Sequence, residues 1–256
     1  MNILFIGDIV GKPGREYIVR NLNRIRKENK IDICIANGEN ASHGNSITIP
    51  SLKELWNAGI DVFTMGNHTF NRNVEDVFEN FDYIIRPANY NKSLPGEGSV
   101  VYDTGCYRLG VINIQGQVYL DPINSPFDAV MAEYAKIKDE ADAILIDFHA
   151  EATSEKAAMA HFMDGKVAAV VGTHTHVQTA DERILPGGTA FITDVGMTGA
   201  HHSILGTKTE IIVNRFAYHQ RDRFELSDGI AQFNAVVISV DDKTGLAKEI
   251  KRMNIV

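Results

Sequence analysis

The stretch that most constrains this chain is Gly172-Thr173-His174-Thr175-His176, which closes the apolar run Val167-Ala168-Ala169-Val170-Val171. In extended backbone, positions i and i+2 face the same way. A buried parallel strand ending in His-x-His therefore points two imidazoles at one spot beyond its carboxyl end, where open α/β sheets place their ligands. That is a metal-site geometry. Standing alone, the pair reads more readily as two histidines satisfied by turn backbone, so the rest of the chain decides between the two uses.

At 256 residues the chain can bury a full core, as one large α/β domain or two small ones, and residues 1–256 read as one. A hydrophobic share of 44% and a charged share of 23% are those of a soluble globular protein. No run approaches the ~20 consecutive apolar residues of a membrane span. The start Met1-Asn2-Ile3-Leu4-Phe5 lacks the basic and long apolar regions of a signal peptide, so the expectation is a cytoplasmic protein with no membrane partner. Cys34 and Cys106 sit in apolar, strand-like surroundings and read as buried thiols in a reducing compartment. A net charge of −8 disfavours nucleic-acid polymers and anionic membranes. A small anionic substrate stays compatible with it, because metal ions can supply the local positive charge. Homo-oligomerisation stays open.

Hydrophobic spacing gives the element order. Asn2 to Gly7 is a strand ending in Asp8, followed by a turn through Gly14 and a helix from Arg15 to about Asn29, with Ile18, Leu22 and Ile25 on one face. Ile31 to Ala36 is a strand, Pro50 to Asn57 a helix stopped by Gly59, and Asp61 to Met65 a strand. Asn73 to Asn80 is a short helix and Tyr83 to Arg86 a short extended piece. Ser99 to Tyr102 pairs with Tyr107 to Ile114. Phe127 to Lys138 is helical, Ala143 to Asp147 a strand, and Ser154 to Met163 a helix capped by Thr153 or Ser154 and stopped by Gly165. After the opening stretch come a strand at Thr189 to Thr193, a loop at Val195 to Gly206, and a helix at Thr207 to Tyr218 for which strand is an alternative. Phe233 to Val240 and Leu246 to Met253 close the chain as a hairpin.

Five strand ends carry polar residues of one chemical kind: Asp8; Glu39 with Asn40; Asn67 with His68; His149; and His174 with His176. Alternating strands and helices argue for a largely parallel sheet, so these ends should share a rim. Carboxylate and amide oxygens mixed with imidazole, without a thiolate, suit manganese, iron or zinc. Asp8, Glu39, Asn40, Asn67, His149, His174 and His176 are too many ligands for one ion with an open position, and about right for two divalent ions that share a carboxylate. Two such ions against the two charges of Asp8 and Glu39 leave positive charge for a bridging hydroxide and a phosphate. The expected chemistry is in-line attack of that hydroxide on a phosphoester. His68, beside a ligand, is the candidate general acid for the leaving alkoxide.

Other residues carry less. His43 and the pair His201-His202 fall in loops at the expected pocket mouth, His161 and His219 fall in predicted helices, and Lys12, Arg15 and Lys156 lie near the rim as phosphate contacts or solvated charges. The loop Gly7 to Gly14 lacks the phosphate-loop spacing and has Pro13 where the dinucleotide pattern needs an amide.

The order Gly7-Asp8, Gly38-Glu39-Asn40, Gly66-Asn67-His68, His149 and Thr173-His174-Thr175-His176 resembles the calcineurin-like metallophosphoesterases, in particular their bacterial YmdB-like branch. Phe148 to Lys156 and Thr193 to Gly199 extend the likeness nearly end to end. The resemblance implies an α/β fold, a four-layer αββα sandwich, with a dinuclear iron or manganese centre and phosphodiesterase activity on small cyclic nucleotides, 2′,3′-cyclic AMP being the usual candidate. It implies one metal on Asp8, Glu39, Asn40 and His176, the other on Glu39, Asn67, His149 and His174, with Glu39 as the bridge and His68 as the proton donor. Val10 stands where the wider superfamily has a histidine, Glu39 where it has an aspartate, and Thr69 where an acid often follows Asn-His. A phosphomonoesterase or nucleotidase is the second reading, and a regulatory protein with incidental hydrolysis the third.

Overall fold

The computed structural model describes residues 1–256. Strand β1 (Asn2–Ile6) is buried from Ile3 to Ile6. Since alternate side chains leave opposite faces of a strand, it needs apolar cover on both sides. Ile3 and Phe5 enter one hydrophobic cluster, Leu4 and Ile6 another. Strand β3 (Ile33–Asn37) divides the same way, with Ile33 and Ile35 on the first side and Cys34 and Ala36 on the second.

The first of these clusters lies between two sheets. In one sheet β1 runs parallel to β3, and β3 to β4 (Val62–Thr64), while β12 (Ala231–Val240) is antiparallel on the other side of β1. β12 also pairs with β13 (Ala247–Ile255) and, at its start, with β11 (Met197–Ala200), which carries the two-residue β2 (Asp8–Ile9) at the edge. The second sheet has the order β5 (Ser99–Asp103), β6 (Arg108–Gln115), β7 (Ala143–His149), β8 (Ala169–Thr173), β10 (Ala190–Ile192), β9 (Arg183–Ile184). Its four central strands are parallel and its edges antiparallel. Leu109, Val111, Leu145 and Val171 of this sheet meet Ile3, Phe5, Val236 and Ile238 of the other.

Helices cover the outer faces. α1 (Gly11–Glu28), α2 (Ile49–Ala58) and α3 (Glu75–Asn80) bury Ile18, Leu22, Leu55 and Val77 against the first sheet. α4 (Pro126–Ile137) and α5 (Thr153–Phe162) bury Val130, Ile137 and Met159 against the second, while α6 (Thr209–Tyr218) follows β11. The result is the αββα sandwich. No helix is long and apolar enough to cross a membrane.

The structure departs from the sequence reading in several places. The strands do not form one parallel sheet; the polar ends come from two facing sheets. α1 begins at Gly11 rather than Arg15. Pro13 is accommodated because an amide in the first helical turn has no partner to lose, and Gly14 lies where any Cβ would collide with the Thr198 carbonyl. The expected loop at Val195 to Gly206 contains β11, which has no alternating pattern and forms because β2 and β12 flank it. Tyr83 to Arg86 contributes one isolated bridge, Phe63 to Ile84. Cys106 is exposed in the β5–β6 turn, unlike buried Cys34. Ala152, not Thr153 or Ser154, precedes α5 as its cap residue, and His219 caps α6 in the left-handed region.

Candidate metal centre

The carboxyl ends of β3, β4, β7 and β8 meet over the seam between the sheets, joined by β2. All seven predicted ligands and His68 come together there. Asp8, Glu39 and Asn40 are buried, as is His149. His174 and His176 retain partial side-chain exposure of 19% and 13%, so the centre opens to one side only.

Hydrogen-bond partners fix the ring tautomers. The Thr173 hydroxyl donates to Asp147 Oδ1 at 2.7 Å, so its oxygen is left to accept from His149 Nδ1–H at 2.9 Å. His149 Nε2 then carries a lone pair. His174 Nε2 lies 3.0 Å from Glu151 Oε2, and its Nδ1 faces the centre. Around His149 Nε2 stand Glu39 Oε1 at 3.1 Å, Asn67 Oδ1 at 2.9 Å and His174 Nδ1 at 3.1 Å. With His149 neutral, four acceptors face one another there, and the donor reaching them is Asn40 Nδ2, 3.2 Å from Glu39 Oε1. The ligating atoms of Glu39, His149 and His174 all lie within 4.8 Å of one another.

With protein groups alone, a proton on His149 is what relieves these acceptors. Burial pushes that ring down, yet Glu39 beside it outweighs burial and holds its pKa up at about 9. Burial and then His149 push His174 down to about 3, which keeps it neutral. A divalent cation satisfies all four acceptors at once, which one proton cannot do, so these residues fit a metal ion.

A second group adjoins the first. Asp8 Oδ1, Glu39 Oε1 and His176 Nε2 surround the amide nitrogen of Asn40 at 3.4, 3.2 and 3.2 Å. His176 donates its other nitrogen, Nδ1, to the Leu205 carbonyl at 3.1 Å. The Asn40 NH2 stands where a cation would stand, and its two protons face three acceptors. Which end of an amide is oxygen is assigned from its partners. Turning this one over brings Oδ1 into the group as a fourth ligand and gives Nδ2 to His68 Nδ1, 3.0 Å from the present Oδ1. Burial raises the Asp8 carboxyl, but His176, His149 and the His174 amide hold it well below the usual carboxylate range. Burial likewise raises Glu39, and His149 and His68 prevail in lowering it.

The His-x-His hook does not work by strand alternation as its sequence suggested. β8 ends at Thr173, and His174 and His176 adopt φ values of 103° and 65°. The backbone curls, sending His174 to the first group and His176 to the second. Such conformations cost on the order of 1–3 kcal/mol each, and two bonds hold them: His174 N donates to Asp8 Oδ2 at 3.2 Å, and Thr175 N to Asp194 Oδ2 at 3.0 Å. Asp194 is itself held by the fully buried Lys156 at 2.7 Å. Lys156 is therefore an internal counter-ion rather than a phosphate contact. Arg15 is tied to Glu54 at 2.7 Å, and Lys12 is solvated beside Glu16.

His68 is half-exposed. Its backbone amide donates to Glu39 Oε2 at 2.8 Å, and its ring lines a cavity of about 1000 Å³ together with Asn40 and His176. His43 also lines that cavity, whereas His201 and His202 do not; His201 faces Gln232 Oε1 at 3.1 Å. Asp147, Thr173, Glu151 and Leu205, which orient the ligands, were not singled out for that role by sequence. A buried acid two residues before a ligand histidine was the signal available for Asp147.

A sequence profile described as "YmdB-like protein" matches residues 4–253. A Bacillus subtilis (strain 168) protein named 2′,3′-cyclic-nucleotide 2′-phosphodiesterase is 45% identical over 99% of this chain and 96% of its own. The crystal structure of a hypothetical protein from Thermus thermophilus is 38% identical, with a TM-score of 0.91 over 99% of this chain and 98% of that one. That of a novel phosphatase from Mycoplasma pneumoniae is 35% identical, with a TM-score of 0.93 over 100% of this chain and 93% of that one. The sandwich is the calcineurin-like metallophosphoesterase fold.

Proposed function

The chain belongs to the YmdB-like family, and on that premise we propose that it is a metal-dependent phosphodiesterase acting on small cyclic nucleotides of the 2′,3′ type. The observation that carries this reading is the convergence of Glu39, His149 and His174, joined by Asn67 Oδ1, on one point beside a cavity of about 1000 Å³. In this reading one divalent ion is held by Asp8, Glu39, Asn40 and His176, the other by Glu39, Asn67, His149 and His174. Oxygen and neutral nitrogen donors without thiolate suit iron, manganese or zinc, and the family likeness favours the first two. Bound there, such ions attract a phosphodiester and lower the pKa of water towards ~7.

The chain's own residues do the rest. Thr173 and the Leu205 carbonyl hold the His149 and His176 rings by hydrogen bonds to Nδ1, with Nε2 turned inward, and the Glu151 carboxylate lies beside His174. The same amide orientation that makes Asn40 a ligand leaves His68 with its proton on Nε2, an atom with no protein partner, on the cavity side. As the oxygen of a water bonds to phosphorus and the bond to the leaving oxygen breaks, His68 would give that proton to the alkoxide, so that the ring opens to a phosphomonoester with one water added.

The test is a panel of bis-p-nitrophenyl phosphate, p-nitrophenyl phosphate and adenosine 2′,3′-cyclic phosphate, run on protein purified without chelator and analysed for metal. Two ions per chain and turnover of the diesters are expected. Activity confined to the monoester would overturn the reading.

A further inference from the structure

The cavity beside the centre, at about 1000 Å³, is at the upper end of the ~300–1,000 Å³ typical of small-molecule sites. Two guanidinium groups line it, Arg72 and Arg223. Most arginines of this chain sit against a carboxylate. These two do not. Arg72 donates Nε to the Asn45 carbonyl at 2.8 Å, which sets the plane of the group and leaves both terminal nitrogens without a protein partner. Arg223 makes neither a hydrogen bond nor a close ion pair; both arginines are exposed, and the acid that shares the cavity, Glu225, is held by Lys208 at 2.6 Å and attracts Arg223 only at longer range. In a chain of net charge −8, two unpartnered guanidiniums in one cavity form an anion site, and their planar forks match phosphate oxygens.

The phosphate to be cleaved belongs at the centre itself, so these groups serve a second one. Phe224 lines the same cavity. One face of its ring is covered by the Arg215 guanidinium, 4.8 Å from the centroid, and Arg215 lines a separate cleft with Phe216. The ring is 56% exposed at the cavity wall, an apolar surface against which a nucleobase can stack. The chain is anchored just after Phe224. Leu226 rests on Gly11 and Gly44, where a Cβ would run into it, and Lys208 N donates to the Glu225 carbonyl at 3.0 Å.

We propose that the substrate is a 2′,3′-cyclic nucleotide carrying a second phosphate on its 5′ side, held by Arg72 and Arg223 with the base against Phe224. This rests on the cyclic-nucleotide reading above. The second phosphate is either a 5′ monoester or the internucleotide diester of a short oligonucleotide end.

The holoenzyme is assayed on adenosine 2′,3′-cyclic phosphate, on its 5′-phosphorylated form, and on a dinucleotide ending in the cyclic phosphate. The 5′-phosphorylated form is expected to have a kcat/KM at least tenfold higher, expressed in KM, and Arg72→Gln or Arg223→Gln closes the gap to threefold or less. A dinucleotide as good as the 5′-phosphorylated nucleotide assigns the site to the diester; a poorer one assigns it to the monoester. Calorimetric binding of adenosine 3′,5′-bisphosphate against adenosine 3′-phosphate repeats the comparison without turnover, with tenfold tighter binding of the bisphosphate expected. Equal affinity of the two in the wild-type protein, or a gap that survives both substitutions, overturns the site. No turnover of any cyclic phosphate, with the bisphosphate preference intact, overturns the reaction and leaves the second-phosphate site standing.

Discussion

Lys156→Met separates two roles that the sequence left side by side. Lys156 Nζ and Asp194 Oδ2 are 2.7 Å apart with neither side chain exposed to solvent. Removing one partner of a buried pair leaves the other charge uncompensated, at a cost of about 3–5 kcal/mol. For a domain of this size each kcal/mol moves the melting temperature by roughly 2–4 °C, so a fall of roughly 6–20 °C is expected. Asp194 also accepts from Thr175 N at 3.0 Å and Gly196 N at 2.8 Å. The loss therefore reaches the turn between the two hook histidines, and bound metal should fall with stability. The assays are urea denaturation of the metal-loaded protein and elemental analysis. The double variant Lys156→Met with Asp194→Asn should be less destabilised than Lys156→Met alone, because no charge is stranded, although the amide oxygen can accept from only one of Thr175 N and Gly196 N. A single variant within about 1 kcal/mol of wild type, with full metal content and a raised KM, would refute this reasoning and return Lys156 to the role of phosphate contact.

Gly66→Ala places a Cβ against His149 Nε2 and Glu39 Oε2; metal should be lost from the His149 group while circular dichroism reports an unchanged fold. His68→Ala should retain both ions and lose about 10²- to 10⁴-fold in rate, and loss of metal instead would make His68 a ligand. Asp181 accepts hydrogen bonds from Thr179 at 2.6 Å and from the Thr193 amide at 3.1 Å, and despite burial, which raises it, these hold its carboxyl below the ordinary value. Its contribution is present above the unfolded value of 3.8 and is lost as pH falls further. The destabilisation caused by Asp181→Asn in urea titrations should accordingly be full at neutral pH and shrink below about pH 4.

The candidate ligands were legible because each ends or follows an apolar run, and polar residues at strand ends stand out against buried neighbours. The periodic helices were legible for the same reason, with Ile18, Leu22 and Ile25 buried on the face their spacing assigned. β11 was not, since Met-Thr-Gly-Ala carries no alternation and its strand geometry is imposed by β2 and β12. Nor was the fate of Lys156. A lysine in the first turn of an amphipathic helix looks solvated until the facing Asp194 is in place.

The sequence by itself determined which residue types reach the strand ends, and so which kinds of donor atom the site can offer. Donor type is a property of a side chain and survives any arrangement of the backbone. Tertiary structure alone decided that those ends converge from two sheets rather than one, that the two hook histidines part company through left-handed backbone, and which nitrogen of each ring faces inward. Those properties depend on contacts between residues far apart in the chain, His149 with Glu39 and His174 with Asp8, and no local pattern encodes them.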